Sequence, residues 1–347
     1  MPVNQHAIAK HLGLSIATVS RSLSDHPSIN PKTRARVMNA ASAMGYKSGH
    51  KRDPKRIASV PSIAALSFGE ARLDGYGAVV RDRILQGMIA EARERELSLS
   101  LDYIHPDIAD QIDDIQVLPP IVRAGQCEGL LVIGNFPGEA VGRLAQRLPC
   151  VKVAGFIPNV PVDCIHHDDL SSMEMLVDHL WGLGHRRIGF LPASDYVVER
   201  IRWSGLVLAL QRRGVSLSEM ASWGFEPGSI REHEALPSLV RQRLEQGVTG
   251  WIAANDAGGY RLLEGLASQG IVCPRDLSVC GFDHLDPPAS LPRMTSVEAP
   301  FEDLGKLAVA RLHQRIRQVV STTNHTMLNC RLVPGESTGP ARVAAAD

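Results

Sequence analysis

Apolar positions in the first 46 residues recur at helical spacing in three short blocks. In the first, Ala7, Ile8 and Leu12 fall on one side of a helix that Asn4 can cap and that Gly13 ends in a tight turn. In the second, Val19 and Leu23 lie four apart behind Ser15, a good N-cap. The stretch "INPKTRARVMNAASAMGY" supplies the third: Asn30 caps it, Pro31 takes the first helical position, Val37, Ala40, Ala41 and Met44 face inward, and Gly45 terminates it. Periodicity then stops. From Lys47 to Val60, "KSGHKRDPKRIASV" sets Gly49 and Pro54 among lysines and arginines, the composition of a linker. Beyond it, short apolar runs such as "SIAALSF", "GLLVIGN", "CVKVAGF", "RRIGFLPA", "GWIAAN" and "LSVCGFD" alternate with helical patterns such as "RDRILQGMIAEARERE" and "GGYRLLEGLASQG". Continuous apolar strands separated by helices predict an α/β body, with enough units for two doubly wound parallel sheets. Ligands in such folds sit at the carboxyl ends of strands, which directs attention to Asn255, Asp256 and Asp283.

The 347 residues suit about two domains. Their formal net charge of zero hides an asymmetry. Residues 1–56 hold ten Lys and Arg against Asp25 and Asp53, a net of +8, and the remainder carries −8. A basic segment of that kind suits the phosphates of nucleic acid. The six cysteines form no CxxC pair and read as small buried hydrophobes. No apolar run reaches the roughly 18 residues needed to span a membrane, and "MPVNQHAIAKHLG" lacks a signal-peptide apolar region, so the expected compartment is the cytoplasm.

On a helical wheel with Val19 inward, the second block turns Ala17 and Arg21 outward, flanked by Thr18 and Ser20, with Ile16 at the exposed N-terminal end. That set suits a DNA major groove. Arg21 can bond guanine bidentately or clamp a phosphate, Thr18 and Ser20 suit phosphate oxygens, and Ile16 or Ala17 can touch a thymine methyl. Backbone N–H groups at the helix start add phosphate donors. Helix, glycine turn and second helix is the helix-turn-helix arrangement. A helical hairpin with a solvated outer face would look similar; the third helix, the basic charge and the appended α/β body favour DNA.

The run "IAKHLGLSIATVSRSLSDHPSINPKTRARVMNAASAMGY" resembles the headpiece of the lactose-repressor/galactose-repressor (LacI/GalR) family of bacterial transcription regulators. The similarity extends through "HLWGLGHRRIGFL", "RIRWSG", "AANDAG", "LSVCGFDHLD", "LPRMTSVEAPFEDLG" and "ESTGP". It implies a headpiece over residues 1–46, a basic hinge over 47–60, and a periplasmic-binding-protein-like body over 61–340. The body's two lobes are expected at about 61–160 with 293–323, and 161–292 with 324–340. With the resemblance the DNA-contact set extends to Asn4, His6, Ser15, Asn30, Lys32, Thr33, Arg34, Tyr46, Lys51, Arg52 and Lys55.

The resemblance also implies a small effector between the lobes, contacted by Arg202, Asn255 and Asp283, with Asp168 on the same cleft and Tyr76, Val80 and Arg81 from the first lobe. A guanidinium, an amide and a carboxylate supply the donors and acceptors that vicinal hydroxyls require, which favours a saccharide over a purine. The bland alternatives are a surface ion pair for Arg202 and a turn or cap role for Asp283. Two departures from the family pattern stand out. Where the family has a short hinge helix with a minor-groove leucine, this chain has glycine and proline, with Lys55 near the leucine's place, so a basic arm tracking phosphates is the alternative. His6 stands where a tyrosine is usual.

The implied function is a homodimeric repressor reading a near-palindromic operator, tuned by the effector. The alternatives are a regulator dependent on a purine or other co-repressor, and an intracellular small-molecule-binding protein. The chain ends without a leucine-heptad tail, so a dimer is expected rather than a tail-assembled tetramer. An enzyme is the main rival, with "IHHDD" at Ile165–Asp169 as a conceivable metal cluster, but consecutive strand residues face opposite ways. No P-loop, GxGxxG or GxSxG motif is present, and no metal or cofactor is expected. A sugar-transport protein would need an export signal and no headpiece, the reverse of what is seen.

Overall fold

The three amphipathic blocks become α1 (Gln5–Leu12), α2 (Ile16–Leu23) and α3 (Pro31–Ala43) in the computed structural model. It describes residues 4–23, 29–44, 46, 60–69, 76–194, 196–224, 226, 228–229 and 235–342. Gly45, residues 47–59 of the expected linker, including Lys51, Arg52 and Lys55, and the last five residues lie outside them. The chain divides into two compact units, residues 1–59 and 60–347.

In the first unit the Asn4 side chain accepts from the Ala7 amide (3.0 Å), and Gly13 closes α1 with a φ of 65°. Such a left-handed turn is cheap for glycine alone. Ile8, Ala9, Val19, Val37, Ala40 and Ala41 make the core, with Leu12, Leu14, Leu23, Met44 and Tyr46 packed against it. Ser22 is also buried, since its hydroxyl donates to the Thr18 carbonyl (2.8 Å) and so needs no water.

The second unit holds two sheets. Strands β1 (Ser62–Phe68), β2 (Ser98–Ile104), β3 (Gly129–Ile133), β4 (Cys150–Val153), β5 (Asp163–His167) and β10 (His325–Leu328) form the first, in the order β10-β5-β4-β3-β1-β2, all parallel. The second takes β6 (Ile188–Leu191), β7 (Gly250–Ala253), β8 (Ser278–Phe282), β9 (Thr295–Glu298) and β11 (Arg331–Val333) in the order β11-β9-β8-β7-β6. Only its edge pair, β11 with β9, is antiparallel. Strands such as β3 and β8 are buried at every position because both faces are covered, which is why they read as unbroken apolar runs.

The crossings between lobes differ from those expected. "DCIHH" belongs to the first sheet, pairing with β4 and β10, so the chain first crosses after His167 and not near residue 160. It returns after β9, near Ala299 instead of residue 293, and crosses again between β10 and β11, near Asn329 instead of residue 323. The reason is that pairing partners lie far away in sequence, and "DCIHH", "TSVE" and "HTML" carry no mark of the sheet they join.

Helix α4 (Tyr76–Glu94) packs on α12 (Phe301–Ile316) beside the first sheet. Their backbones nearly touch: a β-carbon on Gly87 would stand 1.8 Å from the Glu302 carbonyl oxygen, and one on Gly305 would stand 2.1 Å from that of Ile84. On the second lobe the "ESTGP" segment is stitched to the sheet by small polar groups. Ser337 donates to the Val279 carbonyl (2.5 Å), Gly339 N–H donates to Ser278 (3.0 Å), and buried His185 lies 3.1 Å from the Gly339 carbonyl and 2.8 Å from Thr249.

Candidate DNA interface and effector cleft

Val19 and Ser22 fix which face of α2 is inward, so the opposite face is set by the helix period. That face carries Ile16, 40% exposed, with exposed Ala17 and Arg21 and half-buried Ser20. Ser15 caps the helix, accepting from the Thr18 amide (3.0 Å), and the Ser15 and Thr18 hydroxyls lie 2.8 Å apart. Asn4 and Asn30 likewise spend their carbonyl oxygens on their own helices, Asn30 accepting from the Lys32 amide (2.8 Å). None of the three helices has an acidic residue in its first turn, so nothing there opposes a phosphate. His6 and Lys32 are exposed, Thr33 and Arg34 half-buried, and Tyr46 packs against the small core.

In the body, Arg202 on α8 (Val197–Gln211) is only 5% exposed. Its Nε donates to Asp169 Oδ1 (2.8 Å), one terminal nitrogen donates to the Ala254 carbonyl, and the other lies 3.1 Å from His167 Nε2. The guanidinium sits 3.5 Å from the centroid of the Phe282 ring. His167 ends β5 in the first sheet, whereas Asp169 opens α7 (Asp169–Gly182) in the second lobe, so this buried trio ties the lobes at the first crossing. Burial pushes the Asp169 carboxyl up, but Arg202 and His167 outweigh it and hold it down at about 2.

Asp283 follows Phe282 with a φ of 102°, a conformation that side chains other than glycine rarely adopt. Burial raises its carboxyl to about 6, against the pull of Arg202 and His167. Beside it Asp256 is fully buried, accepting from the Leu285 amide (2.8 Å) and the Ser296 hydroxyl (2.8 Å); burial and the nearby Asp283 push its carboxyl well up.

Asn255 caps α11 (Asp256–Ala267) by accepting from the Gly258 amide (2.8 Å), and Asp168 caps α7 by accepting from the Ser171 amide (3.0 Å) and hydroxyl (2.6 Å). Both are half-buried at strand ends, next to residues of the Arg202 network. The first-lobe positions are placed differently. Tyr76 begins α4, Val80 packs on the core, and buried Arg81 lies over the Tyr103 ring, 5.1 Å from its centroid. The α4 residue that reaches the second lobe is Arg83, which sequence reasoning missed; it donates toward the carbonyls of Asp283 (3.3 Å) and His284 (3.5 Å).

The "IHHDD" signal was informative in another sense. His166 and His167 face opposite ways, His166 toward Phe156 and His325 and His167 toward Phe282 and Phe301. Its second carboxylate partners Arg202. A cavity of about 340 Å³ opens at the second and third crossings, lined among others by Arg83, Glu298, Phe301, Glu302, Asn329 and Cys330.

Residues 6–48 match the family described as bacterial regulatory proteins, lacI family, and residues 177–338 match a periplasmic binding protein-like domain. The HTH-type transcriptional regulator GalS of Salmonella typhimurium is 26% identical over 313 residues, covering 87% of this chain and 86% of its own. Among solved structures, a lac repressor dimer bound to operator and the anti-inducer ONPF superposes with a TM-score of 0.67 at 19% identity, over 98% of this chain and all of that one. A complex of the transcriptional regulator CelR with cellobiose gives 0.66 at 21% identity, over 96% of this chain and 99% of that one.

Proposed function

Because this chain belongs to the LacI/GalR family of bacterial regulatory proteins, we propose that it is a ligand-responsive, DNA-binding repressor that acts as a homodimer in the cytoplasm. The observation that carries the reading is the outward face of α2: Ile16, Ala17, Ser20 and Arg21 stand on a helix whose inner side is anchored by Val19. Two such helices, related by the dimer's two-fold axis, would read the half-sites of a near-palindromic operator. The domain plan is a headpiece over residues 1–46, a basic linker and a two-lobed effector-binding body.

The effector is a saccharide seated between the lobes against Asp283, Asn255 and the Arg202 network. In support, a carboxylate, an amide and a guanidinium stacked on the Phe282 ring gather near these strand ends, and solved structures of similar fold include one captured with cellobiose. Ligand shifts operator affinity only by as much as it distinguishes the two settings of the lobes.

The test is selection of duplexes from a randomised library by the full chain, followed by binding of the winners across salt concentrations. A near-palindromic winner with steeply salt-dependent affinity is expected; recovery of no sequence, or undiminished binding by a chain lacking residues 1–46, overturns the assignment. A thermal-shift screen of sugars, sugar acids and nucleobases identifies the ligand class, and stabilisation by a nucleobase alone would replace the saccharide with a purine.

A further inference from the structure

Among the described residues, two of the side-chain contacts between the lobes differ in kind. The His167–Arg202–Asp169 contact is buried at the first crossing, with side chains about 5–6% exposed. The Arg83 contact is part-buried, long, and next to an open cavity.

The loop that receives Arg83 is built to present acceptors. Its amides are all committed within the second lobe: Asp283 N–H to the Val297 carbonyl (2.8 Å), His284 N–H to the Ser296 hydroxyl (3.0 Å) and Leu285 N–H to the Asp256 carboxylate (2.8 Å). Asp283 and His284 hold φ values of 102° and 48°, and their carbonyls are the ones that meet the guanidinium from the first lobe. On its other side Arg83 lines the cavity at the crossings, where Glu302 is exposed on the first turn of α12. A guanidinium that leaves two neutral carbonyls thus has a carboxylate to move to. It also has about 340 Å³ of space in which to do so.

We propose that Arg83 is a positioning residue with two seats, one on the carbonyls of Asp283 and His284 and one against Glu302, and that exchange between them accompanies movement of the lobes. Because the first seat lies on the residue that carries the Asp283 carboxyl, whatever engages that carboxyl biases the exchange. Occupancy of the cleft then reaches the first lobe through this side chain. The inference depends on the two-lobed body and not on the DNA assignment, so a failed duplex selection leaves it standing.

The test is the distance between spin labels at Glu139→Cys on the first lobe and Glu245→Cys on the second, both exposed in this structure, read in the full chain with Cys273→Ser and Cys330→Ser, the two native thiols that are not fully buried, and diluted with unlabelled protein. Arg83→Met should shift the ligand-free distribution away from that of the parent while leaving the melting temperature nearly unchanged. Arg83→Lys, with one compact donor in place of a fork, should fall between them. Glu302→Gln removes the second seat and should narrow the distribution around the parent's main distance. A distribution that Arg83→Met leaves superimposed on the parent's overturns the proposal. If that variant does not fold, an unchanged distribution in both Arg83→Lys and Glu302→Gln does the same.

Discussion

Asp283 combines a strained backbone with a carboxyl whose burial raises it to about 6, a costly arrangement for the ligand-free protein. A carboxyl raised above its unfolded value near 3.9 contributes stability that is complete below that pH and lost as pH rises through the folded value. Asp283→Asn should therefore stabilise the ligand-free chain at pH 7 by on the order of 2 kcal/mol, a gain that fades toward pH 4. Urea denaturation across pH 4–8 reads this directly, and the same variant should lose ligand-induced thermal stabilisation. In the headpiece, Arg21→Ala should weaken binding to the selected duplex by about 1–3 kcal/mol if the guanidinium reads a base. If it holds a phosphate, the loss should be uniform across sequences, with the salt slope reduced by about one. That Asn255 and Asp283 follow the ends of strands was legible in the sequence, but what surrounds Arg202 was not. Its partners His167 and Asp169 come from 35 and 33 positions away and from both lobes, a juxtaposition that periodicity does not encode.

Elements were the most legible level, and local chemistry explains why. Asn4, Ser15 and Asn30 announce helix starts by accepting from amides two or three residues on, a signal contained within four residues. Sheet membership depends on pairing across more than 150 residues, as between β5 and β10, so "DCIHH" and "HTML" could not be assigned to a lobe. The contact of α4 with α12 makes a strong prediction of its own. Gly305→Ala drives a methyl into the Ile84 carbonyl and should cost about 1–3 kcal/mol, read as a lower melting temperature of the full chain. Because α4 carries Arg83, loosening that contact should also disturb the inter-lobe seat. On the second lobe, burial lowers the His185 imidazole, so its neutral form is favoured in the fold. The stability it lends is present above its unfolded value of about 6.5 and falls away in more acidic solution. Protection of amides around Gly339 from hydrogen exchange should therefore decline below about pH 6.5.

At the scale of the whole molecule, the proposed DNA contacts fall in the basic segment at one end of the chain, so binding there should depend on salt. With six to ten phosphates neutralised, affinity should fall by about 10³–10⁵ between about 50 and 200 mM salt, and a nearly flat dependence would mean that the basic segment does not contact the backbone. The body's three crossings have a further consequence, for synthesis. The first sheet is completed by β10, residues 325–328, and covered by α12, so no ribosome can finish that lobe until nearly the whole chain has emerged. The headpiece needs only its first 46 residues to assemble its core. A nascent chain thus exposes a finished DNA-binding end while its regulatory body still has the edge of β5 unpaired. Premature termination anywhere before about residue 325 leaves that edge open for association with other chains.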